Sequence, residues 1–273
     1  MHIIDTHAHI FSDRIASAAV KATNVFYDGC CNEEIPVPIH LGHLPGTVDD
    51  LLDRCRRSGV DRAVVFCTAT HAHQVRPVND FIAETCRAHP ELIGVGTMHP
   101  DYTDFEGEIA RMKEAGLRGV KLHPDIQRFN LDDERLMPLY ELMSAEGLFL
   151  VAHTGDYRFA YSAPTRMEHV AKRFPKLRCI AAHFGGWSEW TLARACLDLP
   201  NVYMDTSSTL GFGAREAAKK AFQTFDPTHI FFGTDYPLWD PGEELQRFFS
   251  LDLGDRLNEM VLGENFEQFL AEC

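Results

Sequence analysis

Short apolar runs rich in β-branched residues recur along the chain, each closing in a polar or glycine-containing turn and each followed by an amphipathic stretch. The runs that read as strands are 3–5, 63–68, 92–97, 119–123, 148–152, 178–183, 202–205 and 230–235. Helical spacing is predicted over 49–57, 77–88, 105–115, 132–145, 164–173, 188–197, 214–224, 241–249 and 264–271. The segment 49–57 shows how the boundaries are read: Thr47 offers an N-cap oxygen and Gly59 ends the helix. Strict alternation with continuously apolar strands implies a parallel sheet covered by helices. Eight such units suit a (β/α)8 barrel, a TIM barrel of about 250 residues. An open doubly wound sheet would begin with a glycine-rich turn, and no GxGxxG follows the first strand.

The connection 10–46 is too long for an ordinary βα loop and holds Pro36, Pro38, Pro45 and several glycines, so it is expected to be an inserted loop. Loops after barrel strands sit at the catalytic face, and this one is expected to act as a lid. With 273 residues and 45% hydrophobic content, the expectation is one α/β domain over 1–273. A net charge of −14 argues against nucleic acid and anionic membrane surfaces as partners, since both bind through excess Lys and Arg. No run is long and apolar enough to span a bilayer. The opening MHIIDTHAHI lacks the basic start of a secretory signal, so a cytoplasmic location is expected, with the 8 cysteines reduced. Cys30 and Cys31 have no second cysteine pair at ligand spacing and read as ordinary residues.

Residues two apart on an extended strand point the same way, so His7 and His9 can aim two imidazoles at one point at the barrel mouth. Alone, a His-x-His is usually structural. The odds change because metal-ligand types recur at the carboxyl ends of other predicted strands: His153 after FLVA, His183 after CIAA and Asp235 after FFGT. Asp5 and Asp205 could orient a ligand or simply cap a turn. Lys121 and His123, two apart on the fourth strand, share a face near the mouth and are candidates for substrate binding, as is His99 in TMHP. Arg158, Arg76, Arg128 and Arg166 are loop cations, of which Arg158 is the candidate to receive a substrate carboxylate. Phe11, Tyr161 and Trp187 are candidate apolar walls. A second His-x-His, His71 and His73, falls in a predicted loop, where no strand fixes its rings, and reads as pocket lining or surface.

The motifs DTHAH, GVKLHPD, VAHTG, AAHFGG and FGTDYP, in that order, resemble the amidohydrolase superfamily. The likeness is to its amidohydrolase-related family 2, small metal-dependent TIM barrels related to aminocarboxymuconate-semialdehyde decarboxylase, and it covers essentially the whole chain. It implies that His7, His9, His153 and Asp235 bind one divalent metal, usually Zn2+, with His183 beside it as an acid/base residue or extra ligand. Three imidazoles and a carboxylate suit zinc, and Mn2+, Fe2+ or Co2+ could take the same set. In some superfamily members a Lys on this strand is carbamylated and bridges two metals. Lys121 lies deeper, which favours a substrate-anion role or support of a ligand. The family also implies a small-molecule substrate and a homodimer.

The leading function is hydrolysis of a lactone, amide or ester by a metal-activated water, with Asp235 moving the proton and His183 stabilising the oxyanion or acting as acid. The runner-up is a metal-dependent non-oxidative decarboxylase acting on an aromatic or unsaturated acid. An intact His-x-His and a short chain favour hydrolysis. A third class, a metal-binding barrel without turnover, is disfavoured because a structural zinc needs no proton-transfer partner such as Asp235 or His183.

Overall fold

The computed structural model describes residues 1–42 and 44–273. Strands β1 (Ile4–His9), β2 (Arg62–Phe66) and β3 (Leu92–Gly94) pair in parallel. A second run follows: β4 (Gly96–Thr97), β5 (Gly119–Leu122), β6 (Phe149–Ala152), β7 (Cys179–Ala181), β8 (Val202–Asp205) and β9 (Ile230–Phe231), again parallel and in chain order. Segments β3 and β4 are the predicted third strand interrupted at Val95, whose N–H still donates to Val65 O at 3.0 Å.

Backbone hydrogen bonds join the last strand to the first. Thr6 N donates to Phe232 O at 2.8 Å, Asp235 N to His7 O at 2.8 Å, and His9 N to Tyr236 O. The sheet therefore closes on itself as the predicted TIM barrel, without exposed edges. All three of these bonds use residues beyond the end of β9, so the chain from Phe232 to Tyr236 keeps pairing with β1 at the mouth and carries Asp235 to the side of His7.

Side chains of Ile4, Val64, Phe66, Phe149, Val151, Ile180 and Phe231 fill the interior, with Phe266 and Phe269 of the C-terminal helix packed against them. A larger apolar layer lies between strands and helices. Truncating Phe266 to Ala would cost about 3–5 kcal/mol by the usual cavity penalty.

Most helices fall where their spacing predicts, for example Val48–Ser58, whose first turn is capped by Thr47 and which ends at Gly59 with φ 79°. The run 132–145 begins instead as a 3-10 turn, Glu134–Leu136, and becomes α-helical at Met137–Glu146, where Pro138 suits the first turn. The C-terminal helix starts earlier than predicted, at Asp255–Glu259, and passes through a π segment, Met260–Glu264. There a Cβ on Gly263 would lie 2.3 Å from His2 O, so only glycine lets the segment close on the chain start. No helix among the described residues is long and apolar enough to cross a membrane.

The inserted segment departs from expectation, because it is not simply a loop. Asp13–Tyr27 forms a 15-residue helix, α1, that buries Ala16, Val20, Asn24 and Tyr27 at helical spacing. The small and polar residues between them kept its periodicity weak in the sequence. Its C-terminal end is tied down: Arg158 Nη1 donates to Phe26 O at 2.5 Å, and beyond the helix Asn32 Nδ2 donates to Ser188 O at 2.8 Å.

Candidate functional site

The site begins with β1, which delivers His7 fully buried and His9 at the mouth, their ring centroids 5.3 Å apart. Asp235 stands opposite both. Its Oδ1 lies 3.5 Å from His7 Nε2 and 3.5 Å from His9 Nε2, and Ser208 Oγ donates to its Oδ2 at 2.5 Å. Asp235 and His183, each just beyond a strand end, adopt left-handed backbone with φ 67° and 62°. For non-glycine residues that costs about 1–3 kcal/mol each and is concentrated at functional sites.

The two aspartates left ambiguous by the sequence have separate tasks. Asp205 Oδ2 meets His7 Nδ1 at 2.8 Å while its Oδ1 accepts from His183 N at 3.0 Å, so it orients one ring and holds the backbone of another site residue. Asp5 works on backbone, accepting from His7 N at 3.0 Å and from Thr234 N at 3.0 Å.

Around this group lie further imidazoles. His183 Nε2 faces His153 Nδ1 at 3.0 Å, and its Nδ1 meets Ser207 Oγ at 2.8 Å and Ser207 O at 3.1 Å. The ring of His153 stacks on His123 at 4.0 Å with a 9° tilt, and its Nε2 faces Asp125 Oδ2 at 3.6 Å. Tyr27 of α1 reaches in to place its hydroxyl 2.7 Å from His123 Nε2.

Burial sets the electrostatics. It pushes His7, His9, His153 and His183 well below the ordinary histidine range, with the Lys121 charge adding to the effect, so the rings are neutral and able to ligate. Burial also raises Asp235 to about 6 and Asp5 to about 7. Neutral imidazoles beside reluctant carboxylates form a pocket that a cation would relieve.

A cavity of about 720 Å³ opens onto these residues. His9, His123, His153, His183 and Asp235 line its polar end, and Phe11, Ile15, Phe26 and Phe81 contribute apolar wall. Of the predicted substrate contacts, His123 faces the cavity. Lys121 is fully buried beneath it, with Nζ 3.2 Å from His7 Nε2 and 4.7 Å above the Phe66 ring. His99 lies away from the lining, its Nδ1 accepting from Asp101 N at 3.2 Å. Arg158 is engaged by Asp156 at 2.6 Å and by the end of α1, so it holds the insertion in place instead of facing the cavity. Arg166 pairs with Asp132 at 2.5 Å. Arg128 does line the cavity, joined by Arg14 from α1, as does His73.

Tyr27, Asp125, Ser207 and Ser208 were not singled out from the sequence. Asp125 closes the GVKLHPD motif and could have been found there; the other three carry no pattern of their own.

The donor set fits a divalent ion. In a tetrahedral site with bonds near 2.0–2.2 Å, neighbouring donors stand about 3.3–3.6 Å apart. The two 3.5 Å separations from Asp235 to His7 and His9 already meet that spacing. His7, His183 and Asp235 form one compact group of potential ligands, and His123, Asp125 and His153 form another. His153, expected beside His7 and His9, thus sits in the second group and meets the first through His183.

Solved structures of similar fold span the whole chain. An uncharacterized TIM-barrel protein of Bordetella bronchiseptica matches with TM-score 0.77 at 20% identity, over 100% of this chain and 99% of its own. A dihydroxybenzoic acid decarboxylase from a Polaromonas species, with bound manganese and the inhibitor 2-nitroresorcinol, matches with TM-score 0.74 at 12% identity, over 99% and 97%. An amidohydrolase of Burkholderia multivorans with bound zinc matches with TM-score 0.73 at 15% identity, over 100% of both chains. At these identities the likeness establishes the fold. A search of curated proteins finds no match. A family model described as amidohydrolase covers residues 4–270, from the first residue of β1 into the last helix, Asn265–Ala271, and by that match the chain belongs to the amidohydrolase family.

Proposed function

We propose that the protein is a metal-dependent hydrolase acting on a small lactone, ester or amide. The observation that carries this reading is the placement of Asp235 Oδ1 at 3.5 Å from both His7 Nε2 and His9 Nε2. Three protein donors with one position left open is the pattern of a catalytic site, whereas a structural site closes with four. His7, His9 and Asp235 would hold the ion, and zinc is the ion the donor types favour. When bound it would polarise the substrate and acidify a water.

The remaining tasks fall to the chain itself. Asp235 lines the cavity and can accept a proton and pass it to a leaving group. His183, held by Ser207 at Nδ1 and facing His153 at Nε2, lines the cavity beside Asp235 and is the candidate acid/base partner. The apolar wall excludes water from the substrate skeleton, which strengthens the polar contacts at its reacting end.

Decarboxylation is a second reading, favoured by the cations Arg14 and Arg128 on an otherwise largely apolar cavity, an arrangement suited to an aromatic carboxylate. A single experiment separates the two. The zinc- and manganese-loaded protein is offered lactones, esters, amides and carboxylated aromatics, and the products are identified. Ring opening or hydrolysis without carbon dioxide supports the first reading; carbon dioxide release replaces it with the second. Asp235→Asn should abolish either activity, and full activity in that variant would refute the site assignment.

A further inference from the structure

The two oxygens of the Asp235 carboxylate have different surroundings. Oδ1 stands 3.5 Å from His7 Nε2 and 3.5 Å from His9 Nε2, whereas Oδ2 accepts from Ser208 Oγ at 2.5 Å. What holds the carboxylate in that rotation begins further out. Ser208 Oγ has a second partner, Trp239 Nε1 at 3.1 Å.

The direction of both bonds follows from the groups that make them. An indole N–H donates and cannot accept, so Ser208 Oγ is the acceptor of the bond with Trp239. A serine hydroxyl carries one hydrogen, and with a lone pair turned to the indole that hydrogen is directed at Asp235 Oδ2. Neither group has a tautomer that could reverse the order. Without the indole N–H, the hydroxyl would be free to rotate about its Cβ–Oγ bond and leave Oδ2 unheld for part of the time.

The backbone and the packing are arranged around this contact. Ser208 follows β8 and Trp239 follows β9, so the bond ties together the loops of two paired strands beside Asp235. Ser208 holds left-handed backbone at φ 58°, which a residue with a side chain seldom adopts. The indole lies against Gly211, where a Cβ would stand 2.4 Å from Trp239 Cδ2, so only glycine leaves room for the ring. Phe212 meets the ring edge-on with centroids 5.5 Å apart, and the Arg247 guanidinium sits 5.5 Å from its centroid. Arg247 is itself anchored by the buried Glu244 at 2.5 Å and by Glu243 at 3.0 Å. Neither Ser208 nor Trp239 lines the cavity.

We propose that Trp239 and Ser208 are positioning residues for Asp235: the indole N–H orients the serine hydroxyl, and the hydroxyl holds Oδ2 so that Oδ1 faces the cation. The proposal rests on Asp235 as a metal ligand and is independent of the reaction that follows.

The test is a double-mutant cycle on metal affinity, with Zn2+ binding measured by competition with a chromogenic chelator. Ser208→Ala should weaken binding about 10–100-fold, the usual effect of losing the partner of a ligand. Trp239→Phe keeps a ring and removes its N–H, and should weaken binding about 3–10-fold, the worth of one neutral hydrogen bond. In the Ser208→Ala background the same Trp239→Phe change should alter affinity by less than about twofold, because the indole acts only through the hydroxyl. Ser208→Gly, which suits the left-handed backbone, is the second hydroxyl-free variant and should behave as Ser208→Ala does. Circular dichroism confirms that each protein is folded. Equal losses from Trp239→Phe in both backgrounds would make Trp239 a structural residue and overturn the proposal, as would wild-type affinity in the Ser208 variants. Wild-type protein that binds no Zn2+, or Asp235→Asn that binds it as tightly as wild type, would refute the metal site itself and the proposal with it.

Discussion

His7 and His9 on β1, and His71 and His73 ahead of the helix Val75–Ala88, repeat one sequence spacing with nearly one ring separation, 5.3 Å and 5.6 Å between centroids. Their settings differ. The first pair lies in an extended strand, and Asp235 from the opposite end of the chain stands 3.5 Å from each ring. The second pair straddles the start of a 3-10 turn, Ala72–Gln74, where His71 is exposed and its Nδ1 meets Thr70 Oγ1 at 3.0 Å. Ring spacing alone therefore says little about chelation. What makes the β1 pair a chelator is a third donor fixed opposite it by barrel closure.

The largest expected effect follows from removing that pair. His7→Ala or His9→Ala should cost metal affinity by more than the ~10–100-fold that loss of a ligand's outer partner typically brings, and activity should fall with it. His71→Ala should leave metal content unchanged. Elemental analysis of the purified variants decides, and an equal loss of metal from the His71 variant would erase the distinction.

Chelation should expose the same contrast as stability. An ion present at about a hundredfold over its dissociation constant adds about 2.7 kcal/mol, which for a chain of this size raises the melting temperature by roughly 5–10 °C. Stripping the wild-type protein should lower its melting point by that order, and the His71→Ala protein should respond alike. In His9→Ala the drop should shrink clearly, because one ion is already absent. An undiminished response there would mean that the stabilising ion sits elsewhere.

Asp205 gives a finer test, since it acts on the first pair alone. Asp205→Asn keeps the shape but replaces a carboxylate that faces His7 Nδ1 and accepts from His183 N. Metal affinity should fall about 10–100-fold, measured by competition with a chromogenic chelator. A change below about twofold would make Asp205 a backbone cap only.

The sequence carried the barrel because strand and helix periods alternate strictly, and it pointed to His7, His9, His153, His183 and Asp235 as neighbours because each lies at or just past the end of a strand. Less legible was whatever depends on how loops pack. Lys121 shares a strand face with His123, yet it lies one layer deeper, where strand alternation gives direction without depth. Arg158 looked free because Asp156, two residues earlier, and the carbonyl of Phe26, far away in the chain, become its partners only once α1 is folded. Tyr27 belongs to that same helix. Its role needs a contact across 96 residues, which no local pattern encodes.

The smallest expected effect concerns His73, the member of the second pair that lines the cavity. It is exposed at the wall and has no assigned ligand task, so His73→Ala should change stability by no more than about 0.5 kcal/mol. Because the ring contributes surface to the cavity, its loss should act on substrate binding alone. KM should shift by a few-fold with kcat unchanged, the signature of an interaction equally strong in ground and transition states. Steady-state kinetics on whichever substrate the product screen identifies would measure it. A fall in kcat at constant metal content would instead place His73 at the reacting end, and the two pairs would then differ in degree and not in kind.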